Sequence, residues 1–288
     1  MTHRNGGRSK SRSTTDPRRR GATKLTPVSP TRPLKLRDRD ARVRGRLPGA
    51  ATVDAGIDKQ QRRIKTLQRV FAADSRHALL IVLQGRDASG KDGTIRHVFD
   101  AVDPQGCEVT SFKEPSALEL RHDFLWRVHR RIPARGIVGI FNRSHYEDVI
   151  AARVRRLVPK DVWKARFAQI NAFERMLADN GVVILKFFLH VSRDEQKRRL
   201  QDRLTDETKN WKFRPGDLED RARWTAYTEA FTDALRRCST AWAPWYVVPA
   251  DDKRLRNLLI ARVIADTLDR LHLRYPPADR SVLSLKIK

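Results

Sequence analysis

The feature that most constrains this chain is an uninterrupted apolar run that ends in a glycine loop. Ala78-Leu79-Leu80-Ile81-Val82-Leu83 is followed by Gln84 and then by Gly85-Arg86-Asp87-Ala88-Ser89-Gly90-Lys91-Asp92. A strand with one wet face alternates apolar and polar residues; a strand covered on both faces does not. The run therefore predicts a strand inside a parallel sheet, with layers on both sides. The loop after it has the GxxxxGK spacing of a phosphate-binding P-loop, set between a buried strand and a helix as that pattern requires. Gly85 and Gly90 permit a tight turn whose backbone N–H groups converge on phosphate oxygens. The following helix, with Gly93 and Thr94 in its first turn, points its positive end at the same spot. Lys91 adds a mobile cation for a transferred phosphoryl group.

One position departs from the usual pattern. Asp92 stands where a serine or threonine normally binds magnesium, and Asp87 lies inside the loop. Two carboxylates beside phosphates repel the ligand unless a divalent cation lies between them. The sequence thus implies Mg²⁺ held by hard carboxylate oxygens. Capping of the helix N-terminus is the competing role for Asp87 or Asp92.

Further strands are expected at 108–112, 137–141, 182–190 and 245–248. Helical spacing marks 56–74, 93–102, 116–131, 145–157, 161–180, 193–204, 217–238 and 253–271. Strands alternating with helices predict an α/β fold, a three-layer α/β/α P-loop kinase sandwich on a mostly parallel five-stranded sheet. The segment 193–223 is dense in charge, poor in apolar residues and interrupted by Pro215-Gly216, and reads as a helical lid inserted in a domain spanning 49–288. Residues 1–48 show no apolar periodicity and read as a disordered basic tail.

The net charge is +26, of which residues 1–50 carry +12 (15 Lys/Arg against Asp16, Asp38 and Asp40). Such a surface draws polyanions over long range: nucleic acid, an anionic membrane surface or a polyphosphate. No apolar run reaches the ~18 residues of a membrane helix, since Val182–Leu189 is short and interrupted by Lys186. Cys107 and Cys238 belong to no CxxC or Cys/His cluster, so neither a disulfide framework nor a zinc site is expected, and a reducing cytoplasm suits the chain.

The ordered set GRDASGKDGTI, SFKEPSALELRHDFLWR, FNRSHYEDV, ETKNWKF and STAWAPWYVVPADDK resembles the type 2 polyphosphate kinases over about residues 52–272. FNRSHYEDV, with Asn142 where the wider family carries an aspartate, is similar to the class III subgroup. The resemblance implies phosphoryl transfer, reversible, from inorganic polyphosphate to nucleoside mono- or diphosphates (AMP and ADP, with GMP and GDP as further acceptors), with Mg²⁺, in a homodimer or homotetramer. It implies roles for Asp87, Lys91, Asp92, Arg143 and Glu147 at the reacting phosphates, with Asp87, Asp92 and Glu147 as metal partners. It places Gly85, Gly90, Gly93, Thr94, Lys113, Arg127 and Asn142 around phosphate or nucleotide, and Arg198, Arg199, Arg203 and Lys212 on a lid facing polyphosphate. Two other readings stay open. An ATP-dependent kinase of the thymidylate type shares loop and lid but does not need this charge or Asp92. A non-enzymatic nucleic-acid binder accounts for the basicity, but no recognisable reader is evident, and nucleic-acid contact through the tail is at most secondary.

Overall fold

The structure, a computed structural model, describes residues 24–45, 47–283, 285 and 287. In chain order these form α1 (Ala50–Asp74), β1 (Ala78–Gly85), α2 (Lys91–Val98), β2 (Cys107–Ser111), α3 (Trp126–His129), β3 (Val138–Asn142), α4 (Ala151–Val154) and α5 (Lys160–Asp179). There follow β4 (Val182–His190), α6 (Arg193–Thr205), α7 (Pro215–Ala222), α8 (Trp224–Arg237), β5 (Trp245–Pro249), α9 (Lys253–Arg270) and α10 (Arg280–Leu283). The five strands pair in parallel in the order β2-β3-β1-β4-β5.

β1 lies at the centre, and its alternate side chains enter two cores. Ala78, Leu80 and Val82 pack with Phe167, Ile170 and Phe173 of α5 and Tyr227 and Phe231 of α8. Leu79, Ile81 and Leu83 pack with Ile64 and Phe71 of α1 and Ile260, Ile264 and Leu268 of α9. Every residue of β1 is buried, which is why its sequence carries no alternation. The strand order reverses direction on either side of β1, so the C-terminal ends of β1 and β3 open a crevice where α/β folds bind ligands.

Three expected helices are broken. Within 116–131 only a 3-10 turn (Glu119–Arg121) and α3 form. Asp123 Oδ1 accepts from Leu125 N at 2.9 Å and Trp126 N at 3.1 Å, so its side chain starts a new turn there. Within 145–157 a 3-10 turn (His145–Asp148) precedes α4, because Glu174 of α5 takes hydrogen bonds from His145 Nε2 (3.2 Å) and Tyr146 Oη (2.9 Å) and draws both rings inward. The 217–238 helix divides at Arg223 into α7 and α8.

The basic tail needs correction over its second half. Residues 1–23 and Arg46 lie outside the described residues. Residues 24–45 pack against the β5 edge: Pro27 bridges Tyr246, and Val28 N donates to Trp245 O at 2.8 Å. Leu36 and Ala41 are buried, and the Arg37 carbonyl lies 2.8 Å from His190 Nε2. β5 ends the sheet, and its outward backbone groups need partners that this strap supplies. Scattered apolar residues suffice for that, without the periodicity that marks a helix.

Candidate active site

The phosphate loop runs from the end of β1 to the start of α2. Gly90 has φ +99°, a left-handed conformation, and a Cβ there would lie 2.0 Å from Arg256 Nη1 of α9. Lys91 bends back over the loop, donating to the carbonyls of Gly85 (2.8 Å) and Arg86 (3.2 Å). Burial, aided by the nearby Arg143, pushes its ammonium down to about 8. Arg86 turns away, its buried guanidinium 3.8 Å over the Trp224 ring and donating to Trp224 O and Thr228 Oγ1.

Register brings the second motif alongside. Leu83 of β1 faces Asn142 of β3, and the next residue, Arg143, takes φ +64° while its N–H donates to Leu83 O. The Arg143 guanidinium reaches Asp87 at 2.6 Å and Glu147 at 3.7 Å. Glu147 foremost, then Asp87, hold that guanidinium above its ordinary pKa against the effect of burial. Asn142 Nδ2 donates to Asp92 Oδ1 at 2.6 Å. No side chain caps α2, so neither Asp87 nor Asp92 serves as a cap. Asp148, behind Glu147, is pushed up to about 6 by burial although Arg166 opposes this.

Asp87, Lys91, Asp92, Asn142, Arg143 and Glu147 are therefore brought to one crevice mouth. They do not form a ready metal cage: among the described residues no group of three His, Cys, Asp or Glu side chains is placed to hold a metal ion. Asp87 and Glu147 meet through Arg143, and Asp92 is tied to Asn142. That donor set still suits Mg²⁺, which takes one or two carboxylates together with substrate phosphates and water rather than an all-protein cage.

The family model described as polyphosphate kinase 2 (PPK2) matches residues 50–275. The chain belongs to the polyphosphate kinase 2 family. It is 54% identical over 215 residues to an AMP/ADP-polyphosphate phosphotransferase of Meiothermus ruber, covering 75% of this chain and 80% of that one. It is 46% identical over 239 residues to an ADP-polyphosphate phosphotransferase of Rhodopseudomonas palustris, covering 78% and 83%. The crystal structure of polyphosphate kinase 2 from Arthrobacter aurescens TC1 superposes with a TM-score of 0.79 at 38% identity, covering 89% of this chain and 90% of that one.

The arginines of the segment 193–223 differ in what they touch. Arg199 is buried and turned onto backbone carbonyls of the phosphate loop and of Ala250 and Asp251. That corrects its assignment as a lid residue facing polyphosphate, because no part of the guanidinium is left for a ligand. Arg198 lies on the surface between Glu195 and Asp202. Arg203 holds Asp217 at 3.2 Å, and Lys212 lies over the exposed Trp211 ring. Burial and then the nearby Asp87 push the Asp217 carboxyl up. Arg127 donates to Glu119 and to the Lys113 carbonyl and covers the Phe112 ring, while Lys113 itself is exposed. Arg86 within the loop, and Gln196 and Arg256 bonded to it, escaped sequence reasoning. Only Arg86 carried a signal, a cation inside the P-loop; the others come from elements far away in the chain.

Proposed function

We infer that this chain transfers phosphoryl groups from inorganic polyphosphate to AMP and ADP. Its similarity to phosphotransferases whose names carry those substrates supports the substrate pair, and one structural observation supports the chemistry. A phosphate loop, its carboxylates Asp87 and Asp92, and Arg143 paired with Asp87 share one crevice. An acceptor phosphate oxygen attacks the terminal phosphorus of the polyphosphate in line. The bond to the next bridging oxygen breaks, and the shortened chain leaves with that oxygen.

The protein's task is positioning and charge neutralisation. Loop N–H groups hold the phosphate oxygens. Lys91 exchanges the Gly85 and Arg86 carbonyls for the charge developing on the transferred group. Arg143, poised between Asp87 and Glu147, offers its guanidinium to a phosphate held at the loop. Asp87, with Asp92 and Glu147 as further candidates, would hold Mg²⁺, which would neutralise phosphate charge. Arg203 and Lys212 lie on the segment that closes over the chain. Transfer runs in both directions, and GMP and GDP serve as further acceptors. The chain works in the cytoplasm as a homodimer or homotetramer.

The test is incubation with AMP, ADP, GMP or GDP, long-chain polyphosphate and Mg²⁺, followed by separation of the nucleotides. ADP and ATP are expected with polyphosphate as sole donor. Product formed with ATP as donor but never with polyphosphate would convert the assignment to an ordinary nucleotide kinase.

A further inference from the structure

The P-loop is gripped from behind. Three consecutive carbonyls, those of Asp87, Ala88 and Ser89, face away from the crevice onto buried side chains of α6 and α9. Gln196 Nε2 donates to Asp87 O at 3.1 Å. Arg199 Nη1 donates to Ala88 O at 3.0 Å and Ser89 O at 3.2 Å. Arg256 Nη1 donates to the same Ser89 O at 3.3 Å. All three side chains are buried, at 3%, 7% and 2% exposure, so water cannot substitute for them.

Each donor is itself fixed. Arg199 donates through Nε to Glu195 and through Nη2 to Ala250 O and Asp251 O, while Arg256 is held by Asn257 Oδ1. Gln196 Oε1 receives Arg221 Nη1 from α7 at 2.9 Å. A trans peptide points its C=O and its N–H in opposite directions. Turning these carbonyls onto α6 and α9 therefore turns the N–H groups of Ala88 and Gly90 to the other side, while Ser89 N–H closes a turn within the loop by donating to Arg86 O at 3.1 Å. The Arg256 guanidinium occupies the place of a Cβ at Gly90, so the loop lies flush against it.

Taking phosphoryl transfer at this loop as the reaction, we propose that Gln196, Arg199 and Arg256 are positioning residues that set the direction of the loop amides. They touch no substrate. They act by holding the carbonyl side of the loop, and Gln196 links that hold to α7 through Arg221.

The test uses Arg199→Lys, Arg256→Lys and Gln196→Leu in the full chain without ligand. Backbone hydrogen exchange across residues 84–92 is followed by mass spectrometry, and kinetics are measured with polyphosphate and ADP. Loop exchange is expected to rise about tenfold while the β1 and β4 interiors keep wild-type rates. A loop displaced by about 1 Å should lower kcat by about 10²-fold in the arginine variants, with KM for ADP within about threefold. Wild-type loop exchange in all three variants would overturn the assignment. So would exchange rising equally throughout the sheet, which marks a purely structural role. Exchange needs no turnover, so absence of polyphosphate activity in the unaltered protein would defeat the proposed reaction and leave the loop measurement to decide the brace.

Discussion

Residues of one short motif build two charge clusters with opposite character. Arg143 and Glu147 face outward and join Asp87 at the crevice mouth, with side chains 38%, 28% and 18% exposed. His145 and Tyr146 face inward and meet Glu174 and Lys186, both at 1% exposure or less. In the inner cluster the Lys186 ammonium donates to Glu174, Tyr146 Oη and the Cys238 carbonyl. Its three protons are used, and no ligand can enter. The outer cluster is half-wet, and its ion pairs can be exchanged for phosphate or a cation at little cost. Charge type does not distinguish a reactive group from a structural one here; access to water does.

The strongest way to break this contrast is to remove the outer charges. Asp87→Asn and Lys91→Ala should each lower polyphosphate-dependent ATP formation by about 10²–10³-fold or more, with the urea midpoint close to wild type. Near-normal turnover in either would place the chemistry elsewhere. The inner cluster should respond in the opposite sense. Lys186→Met leaves Glu174 as a buried uncompensated charge and should cost about 3–5 kcal/mol of stability by urea titration. The protein that remains folded should keep KM for ADP.

Acidity sharpens the same contrast. Lys91 titrates near 8 instead of 10.5, chiefly through burial, so it is a cation below about pH 8 and neutral above. Attraction for phosphate is lost as that proton leaves. The kcat/KM profile, which reports the free enzyme, should therefore fall on its alkaline side with a midpoint near 8. Bound phosphate restores the proton, so the corresponding limb in kcat should lie at higher pH. A kcat/KM profile flat to pH 10 would remove Lys91 from the binding step. The smallest effect belongs to Arg198, a surface residue paired within its own helix. Arg198→Ala should change stability by less than about 1 kcal/mol and leave activity within about twofold. A large kinetic loss would return it to the substrate path.

Local sequence was a good guide wherever one element's own pattern decides its structure. The expected strands fall on β1 to β5, and the helices at 161–180, 193–204 and 253–271 match α5, α6 and α9 within one residue at each end. It failed where a distant partner intervenes. The 145–157 helix gives way to a 3-10 turn because Glu174 captures His145 and Tyr146. The 217–238 helix breaks next to Trp224, whose carbonyl and ring are both engaged by Arg86 of the loop.

By itself the chain of residues determined a buried central strand, a phosphate loop attached to it and a set of carboxylates and cations near that loop. Those properties follow from apolar patterning, glycine spacing and charge, all of them local. Only tertiary structure decided which charges remain available. Arg198 and Arg199 are neighbours of the same type on one helix, yet one lies in solvent and the other is consumed by loop carbonyls. The physical reason is that burial and partner geometry are set by how α6, α9 and the sheet pack, which no short window of sequence contains.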